Sequence, residues 1–243
     1  MKLTKSFTAL LAGGLMLAAA AANAGVTGTA AFTTDYLFRG ISQTTDSPAV
    51  QASLTYSFDN GVYVSAWGSS VADYVSPGGL ELDTLLGYSG KSGDVGYDVG
   101  VMRYNYPGYG KDTPVSGGNE ADYNEIYGSV SAYGAKFGVN YSPDYYFESD
   151  KFIYAFLEYG TEVGAGVSVF GHVGYNVFND EIAMGKALAI STVDDTYTDY
   201  KLAVSKAVEG VTFELAYIGS TIDDQECYSI CEGRAVLTAT KAF

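Results

Sequence analysis

Basic residues are scarce: 13 Lys and Arg stand against 28 Asp and Glu in 243 residues, a net charge of −15. Phosphate-rich partners are held by basic patches, so nucleic acid is excluded as a partner. Histidine occurs once, as His172, which removes the imidazole sets of most metal centres and hydrolases; no metal or cofactor is expected. Beyond residue 25 no apolar run approaches the roughly 18 residues of a helical membrane span. Proline is limited to 5 residues, so extended segments run with few breaks. Cysteine is limited to Cys227 and Cys231, an even number that, in a chain exported as argued below, favours a disulfide over a reduced pair or a metal site.

What is present begins with an export signature. Lys2 and Lys5 precede an uncharged run, Phe7 to Ala22, that ends in Asn23-Ala24. A basic start, an apolar middle and small residues at the end form a secretory leader. Residues 1–24 are therefore expected to be removed, leaving one domain over residues 25–243. Its hydrophobic share of 47% with only 17% charge is too apolar for disorder.

Twenty-two Tyr, 12 Phe and 30 Gly point to sheet. From residue 50, Val50, Ala52, Leu54, Tyr56 and Phe58 fall on one parity, and Gln51, Ser53, Thr55 and Ser57 on the other. Side chains alternate across a strand, so this segment has one oily and one wet face. The split recurs from residue 210, where Val211, Phe213, Leu215 and Tyr217 oppose Thr212 and Glu214. About twelve such segments follow one another, each near the roughly 9 to 11 residues that a tilted strand needs to cross a bilayer.

The links alternate in length. Tight ones at 59–61, 89–94, 133–135, 160–164 and 207–210 carry the Gly and Asn of hairpin turns. Longer ones fall near 42–47, 71–79, 106–121, 142–150, 178–195 and 220–233. Short inner turns and long outer loops are the rhythm of a barrel in the outer membrane. The expected fold is all-β: a transmembrane antiparallel up-and-down β-barrel of about twelve strands. Tyr36 and Phe38 at the outer end of the first strand, with Tyr56, Phe58, Tyr88 and Phe243 at inner ends, fit aromatic girdles at the lipid headgroups. Residues 182–190 are open to three readings: loop, helical turn or strand extension.

The segment Thr34-Asp35-Tyr36-Leu37-Phe38-Arg39-Gly40-Ile41-Ser42-Gln43-Thr44 resembles the signature of the TorF porin family, where it also directly follows the leader. A second matching feature is the closing strand 235–243. The resemblance implies an outer-membrane barrel with passive transport of small solutes, and outer-membrane lipid, lipopolysaccharide and the barrel assembly machinery as partners. Outer-membrane barrels commonly end in a strand finishing with Phe, which that machinery reads; Phe243 is the matching residue, although Lys241 interrupts its parity.

Charges on a lipid face cost about 2 to 4 kcal/mol near the midplane, so parity is assigned by the charges. Asp35 and Arg39 then point inward, either lining the lumen or bracing its wall as an ion pair. The same rule turns Glu81, Asp83, Asp98, Glu125, Asp199, Lys201 and Glu214 inward, with Glu158 and Lys136 less securely placed. An excess of acid on that list predicts a weak cation preference. Asp180, Glu181, Asp194, Asp195, Asp223, Asp224 and Glu226 fall in long loops, as a solvated face or as cation ligands. His172 shares a parity with Ser168 and Asn176 but has Gly174 as its same-face neighbour, which suits a wall residue better than a catalytic base. A structural or adhesive barrel with a plugged lumen is the alternative to a channel.

Overall fold

The computed structural model describes residues 25–109, 119–223, 225–227 and 229–243. The leader read over residues 1–24, and Asp224, lie outside them. The chain runs β1 (Gly25–Thr33), β2 (Leu37–Phe38), β3 (Ile41–Ser42), β4 (Ala49–Ser57), β5 (Val62–Ser70), β6 (Leu80–Ser92), β7 (Val95–Asn105), β8 (Tyr123–Ala132), β9 (Ala135–Ser142), β10 (Phe152–Gly164), β11 (Val167–Phe178), α1 (Glu181–Leu188), β12 (Thr196–Val208), β13 (Val211–Ser220) and β14 (Arg234–Ala242). Twelve of these strands, β1 and β4 to β14, pair antiparallel with their neighbours in sequence and close where β1 meets β14. Backbone bonds between Gly28 and Phe243, 2.9 and 3.0 Å, extend the seam to the last residue.

The parity read from the sequence decides which face is oily. Val50, Leu54, Tyr56, Leu86, Tyr88, Val99, Ile126, Leu157, Leu202, Leu215 and Leu237 are all exposed on the outer surface of the ring. So continuous an apolar band is far larger than the patches a water-soluble monomer carries, and a bilayer is the medium that covers it. Tyr56, Phe58, Tyr88 and Phe243 lie outward near the inner rim.

The short connections follow from X-Gly pairs. At Tyr133-Gly134, Ala165-Gly166 and Glu209-Gly210 both residues have positive φ, the conformation of the two-residue turns that match strand twist. The link expected at 160–164 is thereby displaced: β10 continues to Gly164 through a bulge, and the turn falls at Ala165-Gly166, the nearest X-Gly pair that permits it. Residues 182–190 resolve as helix α1 and its cap, with the Asp180 side chain accepting from the Ala183 amide at 2.8 Å.

The largest departure from the sequence reading is the first outer segment. β1 stops at Thr33, and residues 35–44 turn into the lumen instead of extending the wall. Tyr36 is 4% exposed, and its ring packs edge-on against Trp67; Phe38 packs on Tyr104. Neither belongs to an outer girdle. The alternation of this segment is real, but both of its faces are buried because it is a hairpin inside the barrel.

Candidate functional site

The inward hairpin is built by the opening motif. Leu37 pairs with Ser42 and Phe38 with Ile41, around a turn in which Arg39 (φ 49°) and Gly40 (φ 80°) both have positive φ. Gly40 is required twice over, since a Cβ there would lie 2.6 Å from the Gly219 carbonyl oxygen on β13. Asp35 closes the base of the hairpin: its Oδ1 accepts from Ser42 Oγ and Thr44 Oγ1, both at 2.7 Å, and its Oδ2 meets Arg234 Nη1 at 3.1 Å. Arg234 also pairs with Asp46. Asp35 is thus inward but fully engaged in holding the loop, and its partner is Arg234 rather than Arg39.

Arg39 stands at the hairpin tip and reaches the wall opposite β1. Its Nη2 lies 2.8 and 2.9 Å from the two carboxylate oxygens of Glu125 on β8. The guanidinium carbon sits 4.4 Å from the ring centre of Tyr154, 4.7 Å from Phe38 and 4.8 Å from Phe152. Tyr145, whose hydroxyl is pushed up to about 12 by burial, stays neutral and accepts from Nη1 at 3.4 Å. Glu125 is further held by Asn140 Nδ2 at 2.8 Å and by the Tyr104 hydroxyl at 3.2 Å. Arg39 and Glu125 are both almost wholly buried, so this is a desolvated ion pair in an aromatic cage. Below the outer rim the hairpin and the rings of Tyr104, Tyr123, Tyr145, Phe152, Phe178 and Tyr197 fill the lumen.

Deeper in the lumen the two halves of the wall differ. Hydroxyls line the half around β1, β4 and β5, where Thr29 meets Ser53 and Thr55 meets Ser65, each at 2.7 Å. Charge lines the half from β9 to β13. Glu158 lies between Lys136, 3.8 Å away, and His172 Nδ1, 3.1 Å away. His172 Nε2 approaches Asp199 Oδ1 at 3.0 Å and the Tyr154 hydroxyl at 2.8 Å. Lys201 contacts Glu214 at 2.5 Å, and both are buried. Asp98, on the other side, accepts from Tyr63 at 2.7 Å. Glu81 and Asp83 face inward on β6 and are each 1% exposed. His172 is bound by two carboxylates and a phenol, with no serine among these partners; a nucleophile–base pair is not formed there.

Two further features bear on the expected sites. Cys227 and Cys231 are joined, their Cα atoms 5.7 Å apart, in the loop that precedes β14. The Ile230 carbonyl in that loop accepts from the Ser42 amide at 2.9 Å, so the last loop grips the first. Among the loop carboxylates, Asp180 caps α1 and Glu181 and Glu226 line a surface groove; among the described residues no three His, Cys, Asp or Glu side chains converge as a metal centre. Tyr104, Tyr123, Tyr145, Phe152 and Tyr154, with Asn140 and Arg234, were missed in the sequence, and Phe38 was named there as a rim residue. Their signal was available, since Tyr104 and Tyr123 share the parity of Met102 and Glu125.

A closed ring of twelve strands, apolar outside and charged within, defines a transmembrane β-barrel of the outer-membrane type. A profile described as a bacterial protein of unknown function (Gcw_chp) matches residues 17–243, and the chain belongs to that family. Among solved structures it is similar to the KdgM porin, at 10% identity and TM-score 0.52, covering 89% of this chain and 99% of that one. The KdgM porin in complex with disordered oligogalacturonate matches at 8% identity and TM-score 0.52, over 90% and 98%. The NanC porin matches at 8% identity and TM-score 0.50, also over 90% and 98%. At such identities these likenesses concern the fold. No curated protein sequence matches the chain.

Proposed function

We propose that this protein is an outer-membrane porin of the TorF kind, passing small solutes without chemistry and with a weak preference for cations. The observation that supports it is the lumen lining: Glu81, Asp83, Asp98, Glu125, Glu158, Asp199 and Glu214 face inward against Arg39, Lys136 and Lys201. A negative field in a low-dielectric tube concentrates cations and repels anions. Residues 1–24 act as the export leader, Phe243 as the mark read by the assembly machinery, and lipid and lipopolysaccharide surround the finished barrel.

The inward hairpin sets the state of this channel. With Arg39 seated on Glu125 the outer half is narrow; passage requires the hairpin to shift, or solutes small enough to slip beside it. Its burial also favours a second reading, a plugged barrel whose acidic loops are the working surface. Liposome swelling with purified protein separates the two: uptake of small neutral solutes supports the porin, and tight liposomes support the plug. Reversal potentials in a salt gradient test the selectivity, and an anion preference would count against the lining as its cause.

A further inference from the structure

Among the described residues, the cations of the lumen are already taken. Arg39 is held by Glu125, Lys201 by Glu214, Lys136 by Glu158, and Arg234 by Asp35 and Asp46. Glu81 and Asp83, two residues apart on one face of β6, have no ion-pair partner among the described residues. The Tyr106 hydroxyl donates to Glu81 Oε1 at 2.9 Å. Glu81 Oε2 and both oxygens of Asp83 complete no hydrogen bond, although each side chain is 1% exposed; the Tyr36 hydroxyl lies near Glu81 and the Asn105 backbone near Asp83. An ionised carboxylate buried without compensation costs several kcal/mol, and here two stand together.

We infer that Glu81 and Asp83 form a binding site for one hard divalent cation at the outer constriction, beside the inward hairpin. Same-face neighbours on a strand are about 6.6 Å apart at Cα, and metal–oxygen bonds of about 2.3 to 2.6 Å span the gap between their carboxylates. Charge fits as well: two unpaired carboxylates match a double positive charge, while Glu125 is neutralised by Arg39. The free oxygens of Asp83 supply a bidentate ligand and Glu81 Oε2 a third contact, with the phenol oxygens of Tyr36 and Tyr106 close by. Oxygen donors alone suit calcium or magnesium rather than zinc or copper. Two carboxylates give modest affinity, with a dissociation constant of about 10⁻⁴ to 10⁻³ M. The site holds its ion whether or not the lumen conducts, so it stands or falls apart from the passage of solutes; a bound ion neutralises Glu81 and Asp83 and leaves Asp98 and Asp199 to carry the cation preference.

The test is thermal unfolding of the purified barrel in detergent, in calcium chloride or magnesium chloride against choline chloride of equal ionic strength. At ten times the dissociation constant the folding equilibrium should rise roughly tenfold with at least one of the two ions. Asp83→Asn and Glu81→Gln should each abolish the increment, and either suffices if the other fails to fold. Glu181→Gln, in the outer loops, should retain it. No increment in the parent protein overturns the site; so does an increment kept in both lumen variants, or lost in Glu181→Gln, which would place the ion on the loops. Carboxylates that simply hold protons would show as an unresponsive parent that Asp83→Asn stabilises, and that result overturns it too.

Discussion

Removing the Arg39 guanidinium should unseat the inward hairpin. Arg39→Ala leaves Glu125, 0% exposed, without its cation, and breaking a buried pair from one side costs about 3 to 5 kcal/mol. The ring faces of Phe38, Phe152 and Tyr154 around the lost charge add about 1 kcal/mol more. At about 1.4 kcal/mol per factor of ten, even the lower end of the sum, about 4 kcal/mol, moves the balance between seated and released hairpin roughly 1,000-fold. Leu37→Cys is a suitable reporter, because Leu37 is 3% exposed and the native cysteines are joined. In the Arg39→Ala background it should react with an impermeant thiol reagent far faster, and single-channel conductance should rise. Arg39→Leu with Glu125→Leu, which removes both charges, should recover most of the loss. Labelling within twofold of the parent rate, together with unchanged conductance, would refute the reasoning.

Lys201→Ala should lower stability by about 3 to 5 kcal/mol by stranding Glu214, read as a drop in the temperature at which the folded band is lost on a denaturing gel. Gly174→Val should also destabilise the barrel, because even a Cβ at 174 falls 2.2 Å from the Tyr154 hydroxyl and 2.5 Å from Asp199 Oδ2; near-ultraviolet circular dichroism of the tyrosines reports the displacement. Reducing Cys227–Cys231 should cost no more than about 2 kcal/mol, given how few residues it encloses. Cys227→Ser with Cys231→Ser, which opens the same loop without adding thiols, should nevertheless increase labelling at Leu37→Cys, since Ile230 in that loop holds the Ser42 amide. In a salt gradient, Asp98→Asn should reduce cation preference measurably while leaving the hairpin seated.

The wall of the barrel was legible because it obeys a local rule. Period-two alternation, X-Gly turns and the spacing of links place nearly every strand and assign the inward charges, since a charge on the wrong parity would face lipid. The hairpin at 35–44 was not legible by the same rule. Its residues alternate as a wall strand does, yet Tyr36, Leu37 and Ile41 are all buried. Alternation reports two different faces, and says nothing about whether the second face meets lipid or the contents of the lumen. The turn of that hairpin had a signal in Arg39-Gly40, the same X-Gly form as the inner turns. The pairing of Arg39 with Glu125, 86 positions away, depends on closure of the whole ring and leaves no local trace.

The order in which the molecule can be assembled follows from where the hairpin is tied. Its base is held by Arg234, its edge by the carbonyl of Ile230, and Thr34 by Leu237, all contributed by the final stretch of chain. None of these ties exists until β14 has docked on β1. Full anchoring of the first loop therefore waits on closure of the ring; with the seam open, only ties to earlier parts of the chain, such as Arg39 on Glu125 and Ala72 on Gln43, can hold it.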